Sequence, residues 1–140
     1  MNISENIKKI HEEVTTWRHE LHANPELCYE ENWTAEFISE KLKSFGIEVH
    51  NKIGKTGVIG VLKGSNSQEH KSNRSIGLRA DMEALPIEEE NDFDYKSKFL
   101  GKMHACGHDG HVAMLLGAAK ILSKEKKFSG IVYFIFQPAE

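Results

Sequence analysis

The stretch GIVYFIFQPAE, residues 130–140, decides how this chain is read. From Ile131 to Phe136 every residue is apolar or aromatic, and a glycine stands just before the run. The run is too short for a buried helix and reads as a strand. A strand apolar on both faces belongs in the middle of a covered sheet. Upstream, 108–124 is apolar on several sides (Val112, Met114, Leu115, Leu116, Ala118, Ala119, Ile121, Leu122), which predicts a buried helix. Before it, 88–102 is acidic and mixed and reads as a loop. In 75–80, Ile76 and Leu78 alternate with Gly77 and Arg79, the pattern of a strand. The polar, aperiodic stretch 64–75 reads as a hairpin or surface loop. Segments 48–53 and 57–63, rich in Val and Ile and bounded by glycines, are two more strands. Ahead of them, Ile7, Ile10, Val14, Trp17 and Leu21 recur at spacings of 3, 4, 3 and 4 and draw the stripe of an amphipathic helix that Pro25 ends. A second helix fits 31–45, with Gly46 at its C-terminal exit and Trp17 and Trp33 expected in the core. The expected fold is α/β, with helices layered on a mixed, largely parallel sheet.

The chain has 140 residues, enough for one domain with a sizeable core. At 39% hydrophobic and 28% charged it has the composition of a globular chain rather than a disordered or fibrous one. Eighteen Lys and Arg against 21 Asp and Glu leave a net charge of −3, without the basic footprint of a nucleic-acid binder. No apolar run is long enough to span a bilayer, and the N-terminus is too polar for a signal peptide. Two cysteines make no disulfide framework, so a cytoplasmic, reducing location is expected.

The densest chemistry lies in MHACGHDGH, residues 103–111. Imidazole and thiolate are preferred zinc ligands, and carboxylates can complete a site. Cys106 and His108 point the same way in an extended segment, whereas His108 and His111 share a face once a helix has begun. The plainer reading makes Asp109 a helix cap and the rest ordinary loop residues. In RADME, residues 79–83, Asp81 and Glu83 sit two apart at a predicted strand end, where carboxylates orient or bind metal. Their plainer reading is a solvated acidic loop running on into Glu88, Glu89 and Glu90. Glu140, just past the most apolar strand, could serve as a general base, although terminal residues are usually mobile. His19 and His22 read as dipole partners near a helix end, Cys28 as a small packing residue, and His11, His50 and His70 as surface residues.

Together, the blocks WRHELHANPEL (17–27), TGVIGVLKG (56–64), IGLRADMEALPI (76–87), GKMHACGHDGHVAMLLGAA (101–119) and IVYFIFQPAE (131–140) resemble a known family. It is the dinuclear-metal amidohydrolases, which include hippurate hydrolases, N-acyl-amino-acid amidohydrolases and plant auxin-conjugate hydrolases, with aminoacylase and carboxypeptidase G-type enzymes as more distant relatives. The resemblance implies that residues 1–140 are the N-terminal portion of a zinc-peptidase-like catalytic domain. It implies Cys106 and His108 as metal ligands, Glu140 as general base and Asp81 as part of the active site. Glu83 stands where the family commonly has aspartate. With Asp109 and His111 it falls among residues that could support the ligands. The implied cofactor is a divalent metal, two per complete site (Zn, Mn or Co), and the implied substrate is an N-acyl amino acid or small peptide. Neither nucleic acid nor membrane is an expected partner, and a homodimer is expected for the full-length family. Family members are considerably longer, and the glutamate after Glu140, later histidine ligands and a lid or dimerisation domain are missing from these residues. The 140 residues taken alone are therefore expected to be inactive or weakly active.

Two other readings stand beside it. One is a cysteine hydrolase with Cys106 activated by His104 or His108. The other is a non-catalytic metal-binding or interaction remnant.

Overall fold

The computed structural model describes residues 5–65 and 74–140. Helix α1 spans Glu5–Ala23 and buries Trp17, Leu21, His22 and Ala23, so its apolar stripe faces inward at its C-terminal half. Helix α2 spans Asn32–Ser44. Its first turn is capped from a distance: the Glu26 carboxylate accepts the Trp33 N–H at 3.1 Å and the Thr34 N–H at 2.8 Å. Gly46, at φ +72°, turns the chain out of α2 in the left-handed conformation that glycine tolerates.

Strands β1 (Glu48–Ile53), β2 (Gly57–Lys63), β3 (Ser75–Asp81) and β4 (Ile131–Gln137) form one sheet in the order β1-β2-β4-β3. Helix α3 (His108–Glu125) makes the crossover from β3 to β4. The apolar strand β4 lies inside the sheet, as its sequence requires. The sheet is mixed, but only β3–β4 is parallel; β1–β2 and β2–β4 are antiparallel. The expectation of a largely parallel sheet is corrected to this extent. The reason is connection length: three residues join β1 to β2, which allows only a hairpin, whereas the long segment containing α3 can return a parallel strand.

One core joins all three helices to one face of the sheet, uniting Trp17, Leu21, Ile38, Leu42, Val112 and Leu116 with Val58, Leu62, Val132, Phe134 and Phe136. The alternate β4 residues Ile131, Tyr133 and Ile135 are half-buried on the other face, so β4 is not equally covered on both sides. Two packing expectations change. Trp33 is 39% exposed and stacks on Phe37, with ring centroids 5.3 Å apart, because its position on α2 turns away from the core. Cys28 is exposed rather than packed, in the irregular segment between α1 and α2. The predicted 64–75 loop lies mostly outside the described residues. Among the described residues no helix is long and apolar enough to cross a membrane.

Candidate metal centre

In the parallel β3–β4 register Asp81 pairs with Gln137, so both strands end at the same level, and α3 starts beside them with His108. The space outside the carboxyl ends of parallel strands is where α/β folds build sites. The chain is held tightly there. The Met82 N–H donates to the Gln137 carbonyl at 3.0 Å. Gly57 leaves Pro138 room to pack: a Cβ at 57 would stand 2.8 Å from Pro138 Cδ and 2.5 Å from the Ile53 carbonyl oxygen. This fixes the turn that carries Glu140.

Asp81, Glu83 and His108 are almost fully buried, so the solvated-loop reading fails for these carboxylates and holds for exposed Glu88 and Glu90. His108 Nδ1 lies 2.9 Å from the Glu83 carbonyl oxygen, which can only accept. Nδ1 therefore carries a proton, and Nε2, the nitrogen left free for a metal, lies 3.5 Å from Glu140 Oε2. This pinning of one ring nitrogen on a carbonyl is the arrangement that orients metal-binding imidazoles. Glu83 Oε1 accepts the Glu140 N–H at 2.9 Å, while its buried Oε2 has no hydrogen-bond partner. Exposed Arg79 reaches the Asp81 carboxylate at 2.9 Å and Glu140 Oε1 at 3.8 Å. The hydrogen bond and charge of Asp81, then the charges of Glu140 and Glu83, raise the Arg79 pKa.

Two donor sets converge on this spot: Asp81 with His108 and His111, and Glu83 with His108 and Glu140, each offering ligand atoms within 4.8 Å of one another. His108 belongs to both sets. Imidazole with carboxylates suits a zinc, manganese or cobalt ion, and the buried, unpartnered Glu83 oxygen is a donor atom waiting for a cation. The residues fit a divalent metal. Glu140 and His111 are exposed at the rim. Cys106 is also exposed and belongs to neither set. Among the described residues no hydrogen bond joins Cys106 to His104 or His108, so the structure holds no formed cysteine–histidine pair of the kind a cysteine hydrolase needs.

Behind this cluster lies a second one that sequence reasoning missed. Asp109 is not the helix cap; Gly107, at φ +95°, takes that position, and Asp109 is buried within the first turn of α3. Its Oδ2 lies 2.8 Å from Arg18 Nε and 2.7 Å from His22 Nδ1. His22 Nε2 lies 3.0 Å from Glu89 Oε1. His22 is thus no exposed dipole partner but a buried bridge between two carboxylates. Burial alone would raise the Glu89 pKa, but hydrogen bonds from Asn91, His22 and Ser97 outweigh it and hold the carboxyl below its usual range. Nearby His104 is buried with both ring nitrogens unpartnered, and burial pushes its pKa down to about 4 against the partial opposition of Asp109. The signal for the second cluster was the four-residue spacing of Arg18 and His22, which puts both on one face at the buried end of α1.

Residues 77–140 match the sequence profile described as "Peptidase family M20/M25/M40". The whole chain is 50% identical to the hippurate hydrolase of Campylobacter jejuni, of which it covers 35%. Over 97% of its length it is 48% identical to the N-acyl-L-amino acid amidohydrolase of Geobacillus stearothermophilus, covering 37% of that protein. The crystal structure of a Bacillus subtilis protein described as a dinuclear metal-binding peptidase of the M20 family superposes with a TM-score of 0.87 at 40% identity, covering 95% of this chain and 36% of that one. The chain spans about a third of the length of each relative.

Proposed function

From a chain that is related to part of the M20-type amidohydrolases and peptidases, we propose a metal-dependent amidohydrolase that cleaves the amide bond of N-acyl amino acids or small peptides. We read residues 1–140 as the N-terminal portion of its catalytic domain. The observation that carries the reading is His108, shared by two donor sets at the strand ends, with its Nδ1 pinned on the Glu83 carbonyl and its Nε2 turned toward Glu140.

His108 and Cys106 would hold divalent metal, with Asp81 at the β3 end in reach of the same ion and His111 at the rim. Asp109 supports from behind. When bound, such ions make water acidic enough to ionise near neutral pH and stabilise negative charge on an amide oxygen. Glu140 is the general base: its carboxylate is 57% exposed, open to water and substrate, while its backbone is tied to Glu83. It would take a proton from the attacking water and return it to the leaving amine. Arg79 pairs with Asp81 at 2.9 Å and places its positive charge 3.8 Å from the rim carboxylate of Glu140. By the same resemblance the whole protein is read as a cytoplasmic homodimer acting on a small molecule.

The test is hydrolysis of N-acetyl and N-benzoyl amino acids with Zn, Mn or Co, with and without chelator. It is run on the 140 residues alone and joined to the remainder of a relative's chain. Metal-dependent turnover by the joined form that Glu140→Gln abolishes is the expected result. Metal binding without turnover in either form would favour a non-catalytic metal-binding protein. No metal binding by either would sink the reading.

A further inference from the structure

His108 and Asp109 are consecutive, and their side chains serve different clusters. One faces the strand ends; the other faces α1. The segment 104–107 that leads into them has no regular structure, and Gly107 enters α3 in a left-handed conformation. No side-chain hydrogen bond caps the first turn of α3, and the backbone before it is last pinned at Met103, which exchanges both hydrogen bonds with Leu85. Beyond the apolar packing of Val112 and Ala113, two polar contacts hold that turn: the His108 imidazole on the Glu83 carbonyl, and the Asp109 carboxylate on Arg18 and His22.

The second contact is built for rigidity. Asp109 has no exposed side-chain surface, and both of its partners come from one face of α1, in the C-terminal half that the core buries. His22 is held in turn by Glu89, which also accepts the Ser97 N–H at 2.6 Å. His19 stacks on Tyr95 with centroids 3.6 Å apart, and the Arg18 guanidinium lies 5.5 Å from the centre of the same ring. Segment 89–97 is thereby clamped to the same face of α1. The geometry of a metal site tolerates errors of about half an ångström before affinity falls.

We propose that Arg18 and His22 are positioning residues for the metal centre: by gripping Asp109 they place the first turn of α3 so that His108 keeps Nδ1 on the Glu83 carbonyl and Nε2 toward the metal. The proposal rests on the metal-centre reading above, and its consequences separate from that reading because His108's tautomer exists without metal.

The experiment uses the 140-residue chain. In chelator, two-bond nitrogen–proton NMR spectra of the histidine rings, assigned with His108→Gln, report the His108 tautomer. Cobalt(II) titration then reports affinity and the d–d spectrum, and circular dichroism reports folding. The variants are His22→Leu and Arg18→Met, which remove the grip, and His22→Gln and Arg18→Lys, which keep part of it. The expected result is a single Nδ1–H tautomer in the wild type and a mixed signal in the Leu and Met variants. Their cobalt affinity should fall about tenfold, the low end of losses from outer-shell changes. The Gln and Lys variants should recover part of both. If Leu and Met variants fold, melt earlier, yet keep the wild-type tautomer and affinity, Arg18 and His22 are merely structural and the proposal is overturned. Should either fail to fold, Gln and Lys variants that melt earlier than the wild type, and so have a weakened grip, yet keep the wild-type tautomer and affinity overturn it equally. A wild type that binds no cobalt removes the metal-centre reading, while the metal-free tautomer still decides the positioning proposal.

Discussion

Two polar clusters sit back to back at the N-terminus of α3, and they are built differently. In the one facing α1, charged groups approach at 2.7–3.0 Å, and Asp109, His22 and Glu89 are sealed from water. In the one facing the strand ends, His108 and Glu140 are 3.5 Å apart, Arg79 and Glu140 are 3.8 Å apart, and a buried oxygen of Glu83 has no partner. Each cluster has an unpartnered buried carboxylate oxygen, on Asp109 and on Glu83, so the difference lies in contact length and access: short contacts between sealed groups hold a structure in place, whereas long contacts at an open rim leave room for a ligand. The contrast teaches that consecutive residues can divide the labour, one as support and the next as site. It also says where each kind of damage should appear. Asp109→Ala should give the largest stability loss, about 3 kcal/mol, the low end for breaking a buried pair, because it strands buried His22 without its partner while Arg18, 36% exposed, can still reach water. Urea unfolding measures it, and a loss under 1 kcal/mol would mean the tight cluster contributes little.

His104 lies beside the tight cluster but outside its hydrogen bonds, and pH sharpens the comparison there. Its pKa falls from 6.5 to about 4 on folding. Below pH 6.5 the unfolded chain therefore binds a proton that the folded chain refuses. The neutral ring's contribution is complete above 6.5 and is lost as pH falls toward about 4, by up to about 3 kcal/mol. The unfolding free energy of the wild type minus that of His104→Leu, measured in chelator, should fall as pH drops through this window. A difference that stays flat from pH 7 to 4 would mean that the ring is hydrated or paired in solution.

The elements of the fold were legible because periodicity is local. The 3-and-4 spacing of α1 and the unbroken apolar run of β4 can each be read without knowing what packs on them. The strand-end placement of Asp81, Glu83 and Glu140 followed from that. What was not legible is tertiary. Nothing local distinguishes a histidine near a helix end that meets solvent from His22, which meets Asp109 from 87 residues away. Trp33 went to the surface because it sits on the side of α2 away from the core, and Cys28 because it lies in an exposed irregular segment; a residue type does not encode either. Parallel pairing was overestimated because strand patterns do not carry direction.

Metal addition probes the loose cluster directly. A ligand that binds only the folded chain, present at 100 times its dissociation constant, stabilises it by about 2.7 kcal/mol. Zinc should raise the unfolding free energy by that amount, and the gain should vanish in His108→Ala, the residue common to both donor sets. Retention of the gain in that variant would place the ion elsewhere. Cys106→Ser makes a finer cut. The exposed cysteine belongs to neither donor set, so a reduced zinc gain in this variant would show that it swings in to ligate when metal arrives.

The smallest effect belongs to Glu140, and it is the converse of Asp109. Its carboxylate is 57% exposed, and its nearest charged contacts are long. The bond that anchors its position runs through its backbone N–H to Glu83, which Glu140→Ala retains. Exposed ion pairs contribute between nothing and about 1 kcal/mol. Glu140→Ala should therefore change unfolding free energy by less than about 0.5 kcal/mol, within the ordinary range for surface substitutions. The same carboxylate is one of three donors around His108 and Glu83, so the substitution should still weaken zinc binding. Stability left intact with zinc affinity reduced would identify a residue kept for chemistry rather than for the fold. A stability loss above 1 kcal/mol would instead tie the rim carboxylate into the framework and erase the distinction between the two clusters.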